Sequence, residues 1–183
     1  MVLQEALAIS SHYTRGESRQ VRAALERGVE LAETLGDHEA QLRMLSGLNL
    51  SLSKLADFND ALAIAERFAA IASQIGNPAQ IVGAQWMLGA AHHLLGNQST
   101  AQLHFENGFA AAPAIDPVHL DFFGHDHRFR ALVGLARTLW LRGMFEQVPM
   151  LLHRAIEIVE KGEQPISFCM CDVKYSTRRG PSA

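Results

Sequence analysis

Along four stretches of this chain, apolar or small residues recur at steps of four, three and four. They are Val21, Leu25, Gly28 and Ala32; Ala61, Ala65, Phe68 and Ala72; Ala101, Phe105, Gly108 and Ala112; and Val148, Leu152, Ala155 and Val159. Those steps mark one face of an α-helix. Another amphipathic stretch precedes each of the last three. Residues 38–55 place Leu42, Leu45, Leu48, Leu52 and Leu55 on one face, residues 79–95 place Ile81, Leu88, His92 and Leu95 there, and residues 127–142 place Phe129, Leu132, Leu135 and Leu139 there. A shorter first helix is expected over roughly residues 3–14. The pattern predicts an all-α chain of at least eight helices with no sheet, arranged as antiparallel pairs that pack mainly on their sequence neighbours.

The stripes are also in register. A small or turn-compatible residue stands five positions before each, at Gly16, Ala56, Gly96 and Gly143. Forty residues separate Val21 from Ala61 and Ala61 from Ala101, and 47 separate Ala101 from Val148. Internal repetition at such a period is the mark of a helical solenoid. The repeat predicts units of about 1–36, 37–76, 77–118 and 119–163, within a domain spanning residues 1–172. The start of a further helix is expected at 165–175 and a polar tail at 176–183. The longest irregular stretch is expected at 113–126, where Pro113, Pro117 and Gly124 interrupt helix formation.

Leu88, Gly89, His92, Gly96, Ala101, Phe105, Gly108 and Pro113 resemble the tetratricopeptide repeat (TPR) pattern, with the match looser in the other units. The resemblance implies a right-handed superhelix of antiparallel helix pairs, a TPR-like α-α solenoid. The spacing of 40 exceeds the usual 34 and is similar to that of helical repeats in the C-terminal sensor regions of bacterial winged-helix/ATPase transcriptional regulators. The stretch "FFGHDHRFRALVGLARTLWLRG", residues 122–143, also resembles a segment of such regulators. That likeness implies a sensor or interaction role in transcription regulation and signal transduction. The alternative is a general TPR adaptor or assembly scaffold unrelated to transcription.

Chemistry adds little to this picture. No Gly-rich phosphate loop, His-Glu-x-x-His or Gly-x-Ser-x-Gly motif occurs, so a non-enzymatic module without cofactor is expected. With net charge −3, the chain lacks the basic footprint that phosphate neutralisation requires, which argues against direct nucleic-acid binding. No apolar run reaches membrane-spanning length. Cys169 and Cys171 are too close for a disulfide framework and suit a reducing cytoplasm, where they are expected on the inner side of the further helix. Asp57 with Asp60 and Glu157 with Glu160 are expected as helix caps and solvated faces.

By the repeat register His92 shares its slot with His12, Leu52 and Leu139 and is expected on the core side. His93 aligns with Tyr13, Ser53 and Trp140 and is expected along the inner wall. His104 lies beside the stripe of the next helix, so the three are not expected to converge on a metal. A second cluster, His119, Asp121, His125, Asp126 and His127, falls in the seven-residue insertion. It reads either as a helix start capped by Asp126, with Phe122 and Phe123 tucked beneath the adjacent unit, or as a divalent-ion site; no metal is expected.

Carrying the register along the first helices gives a candidate groove of Tyr13, Arg43, Ser46, Lys54, Trp86, His93, Arg130, Arg137 and Trp140. Basic and aromatic residues on one wall of an acidic chain suit a protein or peptide partner, or a small acidic effector. The competing reading places Trp86 and Trp140 in the core between repeats and pairs the arginines with nearby acids. The chain is further expected to be a fragment of a longer array, with exposed solenoid ends that favour self-association.

Overall fold

The computed structural model describes residues 2–15, 19–111 and 127–161. They form eight α-helices: α1 (Val2–Arg15), α2 (Arg19–Leu35), α3 (His38–Lys54), α4 (Phe58–Ile75), α5 (Pro78–Leu94), α6 (Gln98–Ala111), α7 (His127–Leu141) and α8 (Val148–Lys161). A single 3₁₀ turn, Phe145–Gln147, leads into α8, and no strand occurs among the described residues. The side chains of His12 and Tyr13, Ala112, the 113–126 insertion apart from the helix that follows it, and both cysteines lie outside the described residues.

The turns explain the periodicity. Gly36, Ala56, Gly76 and Gly96 stand twenty residues apart, each with positive φ, and Gly143 repeats the feature before α8. At four of these sites the chain closes a helix with the same bond from the residue after the turn to a carbonyl five positions back. The pairs are Asp37 N to Ala32 O, Asp57 N to Leu52 O, Asn97 N to His92 O and Met144 N to Leu139 O, at 2.9–3.0 Å. This is the Schellman closure, which needs a left-handed residue and so favours glycine. Ala56 occupies that position at φ 64°. Helix starts are then fixed by Asp37, whose carboxylate accepts from Ala40 N, and by Asn77, whose side chain accepts from Ala79 N ahead of Pro78. Asp57 departs from the expected cap: its carboxylate makes no capping bond and instead pairs with Arg22 of α2 at 3.0 Å. Glu26, on the same helix as Arg22, is the main reason that guanidinium holds its proton more tightly than usual.

Each helix packs on the next in sequence, α6 on α7 included, and α3 also touches α5 while α5 touches α7. No two even-numbered helices pack to a comparable extent. The odd-numbered helices therefore stand closer together, which makes their side the concave one. Burial follows the same division. In α4 only Ala61, Ala65, Phe68 and Ala72 are buried, the four stripe positions, whereas α3 buries residues around most of its circumference, from Ala40 to Leu52.

One core joins α1 to α5 through Val21, Leu25, Met44, Leu45, Leu52, Phe68 and Met87. A second joins α5 to α8 through Val82, Trp86, Phe105, Leu135, Leu139 and Val148. Helix α5 contributes to both. Small residues let its neighbours approach: Gly28 lies against Met44, Gly108 against the Trp86 indole, and Gly89 of α5 and Gly134 of α7 lie on the Phe105 ring. Four expected core positions are not in the core, Leu95 among them, which is half-buried at the end of α5. Leu55 and Ile81 are 38% and 37% exposed, since they sit at a helix end and in a first turn, and His92 is half-buried.

Candidate functional site

On the concave side, α3, α5 and α7 enclose an open cavity of about 180 Å³. Ser46 and Asn49 reach it from α3, Trp86, Met87, Ala90, His93 and Leu94 from α5, and Phe129, Arg130, Val133, Gly134 and Arg137 from α7. Phe105 of α6 closes the floor between α5 and α7. The three-and-four spacing of 46 and 49, of 86, 90 and 93, and of 130, 133 and 137 aims one edge of each helix at the same space.

The floor is rigid and apolar. Phe105 is 1% exposed and Trp86 is 6% exposed. Trp86 packs on Phe109 at 5.2 Å between ring centres. The Trp86 indole N–H finds no acceptor among the described residues. Polar groups next to the floor are already engaged. Asn49 donates from Nδ2 to the Ala61 carbonyl at 2.7 Å. Thr138, fully buried, donates to the Gly134 carbonyl at 2.9 Å, so its hydroxyl oxygen is left to accept from His93 Nδ1 at 3.0 Å. Gln98 Oε1, also an acceptor, lies 2.9 Å from the same nitrogen. Both neighbours place the ring proton of His93 on Nδ1.

The rim is cationic. Arg130 and Arg137 stand two turns apart on α7, and none of the described residues lining the cavity is an aspartate or glutamate. The Arg137 guanidinium is exposed and makes no ion pair among the described residues. Three other arginines are paired with acids: Arg22 with Glu26, Asp57 and Asp60, Arg27 with Glu30, and Arg67 with Glu33 across α2 and α4.

Five of the nine residues predicted from the register therefore meet in one place: Ser46, Trp86, His93, Arg130 and Arg137. Arg43 and Lys54 are exposed and lie outside the cavity lining, and Tyr13 is not among the described side chains. Trp140 lies outside this lining and is not in the core either. It is 58% exposed and packs edge-on against Phe145 at 4.8 Å, away from the cavity. Trp86 satisfies both readings at once, since it is a core residue of the second cluster and also lines the floor. Asn49, Phe129 and Gly134 were not foreseen. For Asn49 and Gly134 the signal was available, because each lies three or four residues from a predicted member of the set; Phe129 was read as a core residue of the same helix.

Two of the histidines make a contact that the register did not foresee. His92 and His104 do meet, with parallel rings 5.4 Å apart across α5 and α6. His104 Nδ1 donates to Gln85 Oε1 at 2.8 Å. Burial, and secondarily the neighbouring His92, hold His104 below the ordinary imidazole value. His93 points instead to α7. No group of three or more His, Cys, Asp or Glu side chains among the described residues is arranged to hold a metal, and no helix among them is long and apolar enough to cross a membrane.

No protein-family model and no curated protein matches the chain. Among solved structures it is similar to the nearly identical TPR-like repeats of a Podosopora anserina protein assigned as a kinesin light chain, at 15% identity and a TM-score of 0.47, over 98% of this chain and 87% of that one.

Proposed function

We propose that this chain is a non-catalytic interaction module whose concave α3/α5/α7 face takes an acidic peptide segment of a partner protein. The observation that carries this reading is a cavity edged by Arg130 and Arg137, with no aspartate or glutamate among its described lining residues, in a chain of net charge −3. An arginine already paired with an acid of its own chain offers little to a ligand. The open fork of Arg137 can take a carboxylate through two parallel hydrogen bonds. Rim charges of this kind orient the partner and speed its approach, while the apolar centre supplies the contact area.

The reading extends in one of two directions. In the first, the module is the sensor part of a bacterial transcriptional regulator in the cytoplasm, supported by the resemblance of residues 122–143. In the second, it is an adaptor or scaffold. A winged-helix domain and a phosphate loop encoded in the same reading frame favour the first, and further helical repeats alone favour the second.

Fluorescence anisotropy with a labelled glutamate-rich peptide, and with its lysine-rich counterpart, tests the binding itself. The acidic peptide binds and the basic one does not, and added salt weakens the complex. Arg137→Ala weakens it about tenfold and Arg137→Glu abolishes it, while Trp140→Ala leaves it unchanged. Equal binding of both peptides, or indifference to Arg137→Glu, overturns the proposal.

A further inference from the structure

Charge on the rim does not explain why the face is hollow. A volume of about 180 Å³ corresponds to roughly six water molecules at the density of the liquid, or to one leucine- or phenylalanine-sized side chain. Water over the floor would lie against Trp86, Phe105, Met87, Ala90 and Phe129, although Ser46, His127, Arg130 and Arg137 also line the cavity. The nearby Asn49 amide and Thr138 hydroxyl are already bonded within the protein. Water with too few partners is readily displaced by an apolar group. The floor is also set in advance, because Phe105 is clasped between the glycines of α5 and α7 and Trp86 is seated on Gly108. Filling it therefore orders little that is not already ordered.

We infer that the cavity is a pocket for one apolar side chain of the partner, and that the unit recognised is an apolar residue beside an acidic one. This rests on the peptide-binding reading of the face. The apolar side chain enters between α5 and α7 over the Trp86 and Phe105 floor, and the neighbouring carboxylate reaches Arg137 at the rim. An acidic segment without the apolar residue makes only the rim contacts, and an apolar segment without the acid leaves Arg137 facing water.

The experiment compares two labelled glutamate-rich peptides, identical except that one carries a central leucine and the other serine at that place. The folded chain binds the leucine peptide about 10- to 100-fold more tightly, the gain expected for removing one such side chain from water. Ala90→Leu, which fills the cavity from α5 and leaves both arginines in place, removes that preference and retains the serine-peptide affinity. Val133→Met narrows the same cavity from α7 and serves if Ala90→Leu does not fold. Equal binding of the two peptides by the unaltered chain overturns the pocket while leaving the acidic-partner reading intact. Binding of neither peptide overturns both. A leucine preference that survives in the folded, cavity-filled variant places the apolar contact elsewhere and also overturns the inference.

Discussion

Two glycines in neighbouring odd-numbered helices should respond to alanine in opposite directions. Gly83 lies in the first half of α5, and a methyl group built on it meets nothing within 4 Å. Alanine there gains helix propensity, close to 1 kcal/mol at an interior position, so Gly83→Ala stabilises the protein by about 0.5–1 kcal/mol. Gly134, in α7, gains the same propensity but loses its fit. A methyl group there would stand 2.5 Å from Phe105 Cζ and 3.1 Å from Cε1, against about 3.5–4.0 Å for carbon atoms in contact. The ring has little room to retreat, because its Cδ1–Cε1 edge already lies on Gly89 of α5. Overpacking of this kind costs typically about 1–3 kcal/mol, more than propensity returns. Gly134→Ala is therefore destabilised by up to about 2 kcal/mol, and the two variants differ by the overpacking cost, about 1–3 kcal/mol. Urea unfolding followed by circular dichroism reads the difference directly, and thermal midpoints should separate by several degrees. Phe105→Leu combined with Gly134→Ala should lose less stability than the two changes made separately, since the smaller side chain makes room for the methyl. If Gly134→Ala is as stable as Gly83→Ala, or if it adds independently to Phe105→Leu, the clasp around Phe105 is not as described.

Other consequences follow from the turns, the histidines and the buried polar groups. Ala56 holds a left-handed conformation that costs an L-residue roughly 1–2 kcal/mol; Ala56→Gly, after the added freedom of the unfolded chain, should stabilise by about 0.5–1 kcal/mol in the same urea assay. His104 binds its proton less readily folded than unfolded. The unfolded chain therefore takes up more protons, and stability that is complete above about pH 6.5 declines as the pH falls below it; His104→Gln should flatten that decline in melts run from pH 7.5 to 5. Thr138→Val removes a fully buried hydroxyl that links His93 to the Gly134 carbonyl and should cost about 1 kcal/mol, with His93 then held by Gln98 alone.

Much of the fold is visible in the sequence because burial in the even-numbered helices is narrow. The four residues predicted for α4 are the four that are buried, and Val21, Leu25, Gly28 and Ala32 are buried in α2. The odd-numbered helices hide their pattern, since a helix packed on several neighbours buries residues such as Gln41, Asn49 and Ser51 that a single-face reading leaves in solvent. The candidate site was legible as a register but not as a surface. Ser53, His93 and Trp140 are each the last residue but one of α3, α5 and α7, as the repeat spacing requires. Their surroundings differ nonetheless. His93 is covered by Thr138 of the following odd-numbered helix, whereas Trp140 has Phe145 from its own turn as its ring partner and stays largely exposed. A repeat fixes the slot, and the neighbouring unit decides what the slot does. The meeting of His92 with His104 was missed for a related reason: the stripe analysis assigns faces within one helix and carries no information on how far α6 rotates against α5.

The central claim is that the face made by α3, α5 and α7 receives an acidic partner segment. The most direct measurement is an amide-resolved NMR titration of the labelled chain with the leucine-containing glutamate-rich peptide. The account predicts that shift changes concentrate at residues around Ser46 and Asn49, around Trp86, Ala90 and His93, and around Arg130, Gly134 and Arg137, with the outer positions of α2, α4 and α8 unmoved. Changes centred on the even-numbered helices, or on Trp140 and Phe145, or a saturating peptide that shifts none of the three groups, would contradict it.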